Sequence, residues 1–332
     1  MIETQFLTDL LDQLDLALDQ LILNDRNHDR FAIILIDNVA ELAFHARIVS
    51  IADIELDRKT IVISSDSQKQ LRRALGRGFD QKVRFGVTKG WISQEQCDAM
   101  IGLHGFRNSS YHQGLRHEEI LHSLAIAYFR LVSEFLVSYN FGSYVTSSSD
   151  RVSYRALKYL GTPSYSYSIE HFTAAFRRLE EISVTLGDTL IRDLASDMSS
   201  TIESSDSSIS FISCSDDTPE RRDWSVVFAQ TFVFTQDEDA EEKAVDLGYN
   251  KAEGKRLFDW LLEDYRWQVS RDPIPGWRNR LNSLRAEVSP WRALKKYCDF
   301  MEQTNDIRLT LYEVESEIDS YIDLQSDILR GK

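Results

Sequence analysis

Arg107, Asn108 and His112 stand within six consecutive residues, Arg107-Asn108-Ser109-Ser110-Tyr111-His112, and these types at this spacing suit cleavage of a phosphodiester. RNA carries its own nucleophile, the 2′-hydroxyl beside each phosphate, so an enzyme must supply a base for that proton, an acid for the leaving oxygen and a cation for the developing charge. Histidine fits the first two roles, because its unperturbed pKa of about 6.5 keeps both protonation states accessible near neutrality. Arginine fits the third, since its fork of donors grips two phosphate oxygens and stays charged. One Arg–His pair offers too few groups for acid, base and clamp together, so two apposed pairs in a dimer would complete the set. The product would then end in a 2′,3′-cyclic phosphate, and DNA would resist. The same residues have a plainer structural reading, with Arg107 bonding carbonyls at a helix C-terminus and His112 satisfied by a backbone neighbour.

The elements around the motif read as helices. Over residues 3–23, Phe6, Leu7, Leu10, Leu11, Leu14, Leu18 and Leu21 recur at three- and four-residue steps between Asp9, Asp12, Asp15 and Asp19, the pattern of an amphipathic helix. A second helix is expected over 29–51. A third segment, around 67–83 with Arg84 just beyond, carries Lys69, Arg72, Arg73, Arg77, Lys82 and Arg84 against the single acid Asp80, and is expected to present a positive, RNA-binding side. A short helix over 91–103 should break at Gly102, Gly105 and the Asn-Ser-Ser run. A long helix should then begin near Tyr111 and run to about Tyr139, so that its N-terminal N–H groups face an anion beside Tyr111 and His112. No proline occurs before Pro163, which fits long uninterrupted helices.

An antiparallel all-helical bundle with Arg-Asn-x-x-x-His at the entry to its last long helix resembles the HEPN superfamily, over about residues 1–145. That resemblance implies a homodimer with facing motifs and a metal-independent RNase of the kind found in toxin–antitoxin and phage-defence systems. It implies Arg107 and His112 as the catalytic pair, and Asn108, with Tyr111 beside it, as support for the motif. It also implies an RNA substrate and, in the toxin setting, an antitoxin or other regulatory protein as partner. In a branch controlled by adenylylation the target tyrosine follows the motif histidine; Gln113 and Gly114 follow His112, so that control is not expected. A HEPN-like module that binds RNA, nucleotide or protein without catalysis is the alternative.

Competing motifs fail on geometry. Arg116 and His122 lie about 120° apart on the expected helix, and His117 and His122 about 140° apart, so neither pair converges on a ligand. Between Gly248 and Gly254 there are five residues rather than four, and Arg256 stands where a phosphate loop needs Ser or Thr. Cys97, Cys214 and Cys298 are too scattered for a zinc knuckle and suggest reduced thiols. His45 reads as a packed or half-exposed side chain. No metal and no cofactor is called for.

Two domains are expected, residues 1–162 and 163–332. The formal charge of −15 is divided unequally: the first stretch holds 18 basic and 20 acidic side chains, the second 20 and 33. The acidity therefore does not argue against RNA binding by the first stretch and makes the second an unfavourable RNA surface. The second stretch also reads as helical, over 168–202, 220–235, 237–247, 253–268, 276–288 and 289–321, with a Ser-rich break at 199–217 and Pro290 in a first turn. Its Trp260, Trp267, Trp277 and Trp291 are expected to pack rather than stack on bases. It would serve as a regulatory or recognition domain. The N-terminus lacks a basic start, and no apolar run reaches membrane-spanning length, so a soluble, cytoplasmic chain is expected.

Overall fold

The computed structural model describes residues 2–57, 65–112, 118–139, 144–145, 150–162 and 166–330. Fifteen α-helices account for most of the described residues, so the chain is all-α. Among the described residues the extended structure is a pair of two-residue strands, Ile2–Glu3 and Tyr144–Val145, which run parallel. The chain divides into two compact units, Met1–Leu194 with Glu287–Lys295, and Ala195–Ala286 with Lys296–Lys332. The boundary expected at residue 163 thus falls within the first unit. Pro163 itself lies outside the described residues, but the helices on either side of it both pack there.

The first unit begins with α1 (Thr4–Ile22), α2 (Arg26–Asp57), α3 (Ser65–Ala74), α4 (Phe79–Thr88) and α5 (Gln94–His112). It continues with α6 (Leu121–Val137), α7 (Tyr154–Leu160), α8 (Ile169–Thr185) and the start of α9 (Leu190–Ile212). The α1 and α2 helices form a hairpin whose turn uses Asn24 at φ 47°, a left-handed conformation asparagine tolerates. They run antiparallel, since Gln20 bonds His28 while Gln13 bonds Asn38. The α2 and α6 helices run parallel instead. Their contacts advance together: Asp29 with His122, Asp37 with Tyr128 and Phe44 with Phe135. A wholly antiparallel bundle is therefore corrected, because α3, α4 and α5 carry the chain back before α6 begins. Leu7, Leu10 and Leu14 of α1, Ile36 and Val39 of α2, Leu124 and Leu131 of α6, and Phe172 and Phe176 of α8 are buried in the shared core.

Three expected boundaries move for identifiable reasons. The basic segment is two helices, split at Gly76-Arg77-Gly78. The α5 helix does not stop at Leu103 but continues through Gly102 and Gly105 to His112. Each glycine weakens a helix by about 1 kcal/mol, and the buried Met100 and Leu103 together with the anchored His104 hold these turns in place. The Ser-rich break is absent over the first part of its expected span, where α9 runs to Ile212. Ser205 and Ser208 donate to the carbonyls of Thr201 and Ser204, four residues back, so these hydroxyls bond within the helix instead of competing with it.

Asp15 fastens α7 to α1. Its carboxylate accepts from Tyr159 at 2.6 Å, Lys158 at 2.9 Å and Arg155 at 2.5 Å. Burial pushes the Asp15 carboxyl up, but these donors outweigh it and leave its pKa below the ordinary 3.8. A carboxyl depressed by folding adds stability at every pH above its unfolded value and loses it as pH falls through the folded value. The stability gap between wild type and Asp15→Asn should therefore hold from neutral pH to about 4.5 and narrow below about 4. Urea midpoints for both proteins across that range check this, and a gap independent of pH would show that the ionised form is not what fastens α7.

The second unit holds the rest of α9, α10 (Pro219–Gln236), α11 (Ala240–Asp246), α12 (Leu257–Glu263), α13 (Ile274–Arg285), the end of α14 (Pro290–Gln303) and α15 (Asn305–Leu329). Residues 289–321 are thus two helices, parted at Thr304. Ser289 caps the first of them ahead of Pro290, as expected. Arg222 joins Asp206, Asp217 and Asp272 in one ion cluster. Trp277 packs edge-on against Phe300, while Trp260 and Trp267 pack against Tyr265, so these indoles pack as expected. No helix among the described residues is long and apolar enough to cross a membrane.

Candidate functional site

Arg107 lies near the C-terminal end of α5, and its side chain is one third exposed. Its NH1 donates to Asn108 Oδ1 at 2.9 Å, and its Nε stands 3.6 Å from Asp37 Oδ2, an ion-pair distance rather than a hydrogen bond. Asn108 thus supports the motif arginine directly. The backbone of Tyr111 and His112 closes α5 instead of opening the next helix, which corrects the expected anion site at a helix N-terminus. The side chains of residues 109–112 lie outside the described set. Positions 107 and 112 are separated by five residues on one helix, hence by about 140° around its axis. A single α5 does not bring them to one face.

What does share a face with Arg107 is His104, one turn earlier. Its Nδ1 lies 2.9 and 3.1 Å from the two oxygens of Asp37. An ionised carboxylate only accepts, so Nδ1 carries the proton in this contact. Phe79, the first residue of α4, stacks on the imidazole at 4.5 Å and 22°. Asp37 comes from the middle of α2, is 3% exposed, and also accepts from Tyr128 Oη of α6 at 2.7 Å. Burial first, then the Asp37 charge, pushes the Tyr128 phenol well above its ordinary pKa, so Tyr128 remains a donor. The cluster is therefore one buried carboxylate that accepts from His104 and Tyr128 and faces the charge of Arg107, its partners coming from two other helices. His104, Asp37 and Tyr128 were not among the expected site residues. Asp37 was signalled by an acid set directly after the apolar run Ala32-Ile33-Ile34-Leu35-Ile36, and His104 by its place three residues before Arg107.

The expected RNA-binding cations divide. Lys69, Arg72 and Arg73 on α3, Arg77 in the following turn and Arg84 on α4 are exposed. Arg77 is two residues from Phe79, so the basic turn lies beside His104. Lys69 has Asp66 within 3.8 Å, an exposed pair of little energetic weight. Lys82 is corrected: its side chain is 2% exposed and its Nζ lies 3.4 Å from Glu41, so it belongs to the packing of α4 on α2. Lys82 and Arg84 are two residues apart and so lie about 160° from each other around α4, one facing α2 and the other solvent.

Other candidates resolve as structure. His122 pairs with the buried Asp29 at 2.7 Å, and His45 is exposed. Arg116 and His117 lie outside the described residues. Among the described residues no group of three or more His, Cys, Asp or Glu side chains is placed to hold a metal ion. Cys97, Cys214 and Cys298 are unbridged, and burial raises the Cys97 thiol to about 11. Comparison of the chain with protein families, with curated proteins and with solved structures finds no match.

Proposed function

We propose that the chain is a metal-independent endoribonuclease of the HEPN type, acting as a homodimer in which Arg107 grips the scissile phosphate and His112 moves a proton. The observation that supports this reading best is the held but accessible Arg107. Its guanidinium is held by Asn108 and faced by Asp37, one turn from His104, on which stacks Phe79, two residues from the exposed Arg77, an arrangement suited to a polyanion. The 140° between positions 107 and 112 favours two copies, each completing the other's site. A regulated toxin or defence effector, restrained by an antitoxin-like protein, fits such an activity, with the acidic second unit as the regulatory or recognition part.

The test is incubation of the purified protein with labelled tRNA and single-stranded RNA in EDTA, wild type beside His112→Ala, with product ends analysed. Wild type should leave 2′,3′-cyclic phosphate ends and spare DNA. His112→Ala should be slower by about 100-fold or more while keeping its helix content and dimer mass. Equal rates would remove His112 from the site. Absence of cleavage by wild type would overturn the nuclease reading and leave a non-catalytic module.

A further inference from the structure

We infer that His104, oriented by Asp37, is the general base of this site, sharing one face of α5 with the phosphate-gripping Arg107; the inference rests on the ribonuclease reading. Three observations converge. The imidazole is set in one tautomer, because Nδ1 faces the Asp37 carboxylate at 2.9 Å. It is set in one orientation, because Phe79 covers one face of the ring and Asp37 is itself held by Tyr128. Its outer edge is accessible: the side chain is 19% exposed, and among the described residues Nε2 has no hydrogen-bond partner. A neutral imidazole with Nδ1 protonated carries its lone pair on Nε2. Among the described residues, the titratable groups joined to it through this carboxylate are Asp37 of α2, Tyr128 of α6 and Arg107 of α5 itself, with Arg77 in the turn beside Phe79.

The pairing of an acid with a histidine does not by itself mark a base. His122 and Asp29 make an equally short pair, but the nearest arginine on that helix, Arg130, is turned to Glu134 and Asp188. At His104 the arginine one turn away touches the same carboxylate, so a phosphate held by Arg107 would bring the adjoining ribose towards Nε2. In the step, His104 Nε2 takes the 2′-hydroxyl proton, the 2′-oxygen bonds to phosphorus, and the bond from phosphorus to the 5′-oxygen breaks. The 5′-oxygen receives its proton from His112. Base and clamp then belong to one chain, and the motif histidine is left the acid's role.

The experiment compares wild type, His104→Gln, His104→Ala, Asp37→Asn, His112→Ala and His122→Gln on labelled single-stranded RNA in EDTA, with circular dichroism on each. His104→Gln should cleave about 100-fold or more slowly with little change in KM, and added imidazole should restore part of the rate to His104→Ala. Asp37 is a positioning residue, so Asp37→Asn should lower kcat and alter the pH profile. Nitrogen-resolved imidazole spectra should show His104 in the Nδ1–H form in wild type and a mixture in Asp37→Asn. His122→Gln should stay within about threefold of wild type, as expected of a pair about two turns along α2 from Asp37. If wild type cleaves, His112→Ala does not, and His104→Gln matches wild type, the inference falls while the nuclease reading stands. A mixed tautomer in wild type also overturns it. If wild type fails to cleave, both fall together.

Discussion

Asp37→Ala is expected to lower the free energy of unfolding by about 3 kcal/mol, because removing one partner of a buried charged cluster strands the others. Tyr128 is the most exposed to that loss in energetic terms: its side chain is wholly buried, and its hydroxyl would have no acceptor in place of the carboxylate at 2.7 Å. An orphaned buried hydroxyl alone costs about 1–3 kcal/mol. His104 loses the same acceptor and Arg107 its counter-charge, but both side chains reach solvent in part, which keeps the total below the upper range for a fully buried ion pair. Urea denaturation should therefore show a lower midpoint at unchanged slope. Adding Tyr128→Phe to Asp37→Ala should return about 1 kcal/mol, since no wholly buried hydroxyl is then left without an acceptor. A loss under about 1 kcal/mol for Asp37→Ala would mean that the carboxylate does not organise this cluster.

Phe44→Ala should destabilise the first unit by about 4 kcal/mol, the usual loss for a large aromatic removed from a closed core. The ring of Phe44 has no exposed surface, stacks on Phe135 at 4.3 Å and 6°, and meets Phe79 edge-on at 6.5 Å. Its packing also sets what the neighbouring helix can carry. A Cβ at Gly86 of α4 would come within 2.7 Å of Phe44 Cε1, so Gly86→Ala alone should cost about 1–3 kcal/mol by overpacking. Once the ring is gone, the same methyl enters the vacated space, and Gly86→Ala should be neutral or stabilising in the Phe44→Ala background. Thermal or urea unfolding of the four proteins gives the coupling. Additive losses would mean that Phe44 and Gly86 are not in this contact.

The all-α class was legible because apolar steps of three and four are a long-range signal that survives local exceptions. In α1 the leucines at 7, 10, 11, 14, 18 and 21 are all buried, and in α14 the Ser289-Pro290 start lies where capping chemistry puts it. The failures came where a distant contact decided a local conformation. Gly102 and Gly105 look like a helix end, yet Cβ space at Gly105 is open and His104 between them is anchored to α2. The serines of α9 look like a loop until their hydroxyls are seen bonding back along the helix. At the site, the six-residue run pointed to Arg107 and Asn108, which touch each other, but not to the helix face that Arg107 shares with His104. That face depends on whether α5 continues, and on Asp37, 70 positions away in the chain.

The 32-residue α2 carries Asp29, Asp37 and Glu41 along its length, and each meets its own partners: His122 of α6, then Tyr128 of α6 with His104 and Arg107 of α5, then Lys82 of α4. Aliphatic ridges fit their neighbours almost as well after a slip of one turn, as a smooth bolt slides in its sleeve. Carboxylates do not, because each is matched to a single donor set and a shift of 5.4 Å would break all three matches at once. The acids on α2 thus act as notches that index the bundle, converting a helix that could sit at several heights into one that sits at a single height, and with it the height at which Arg107 is presented.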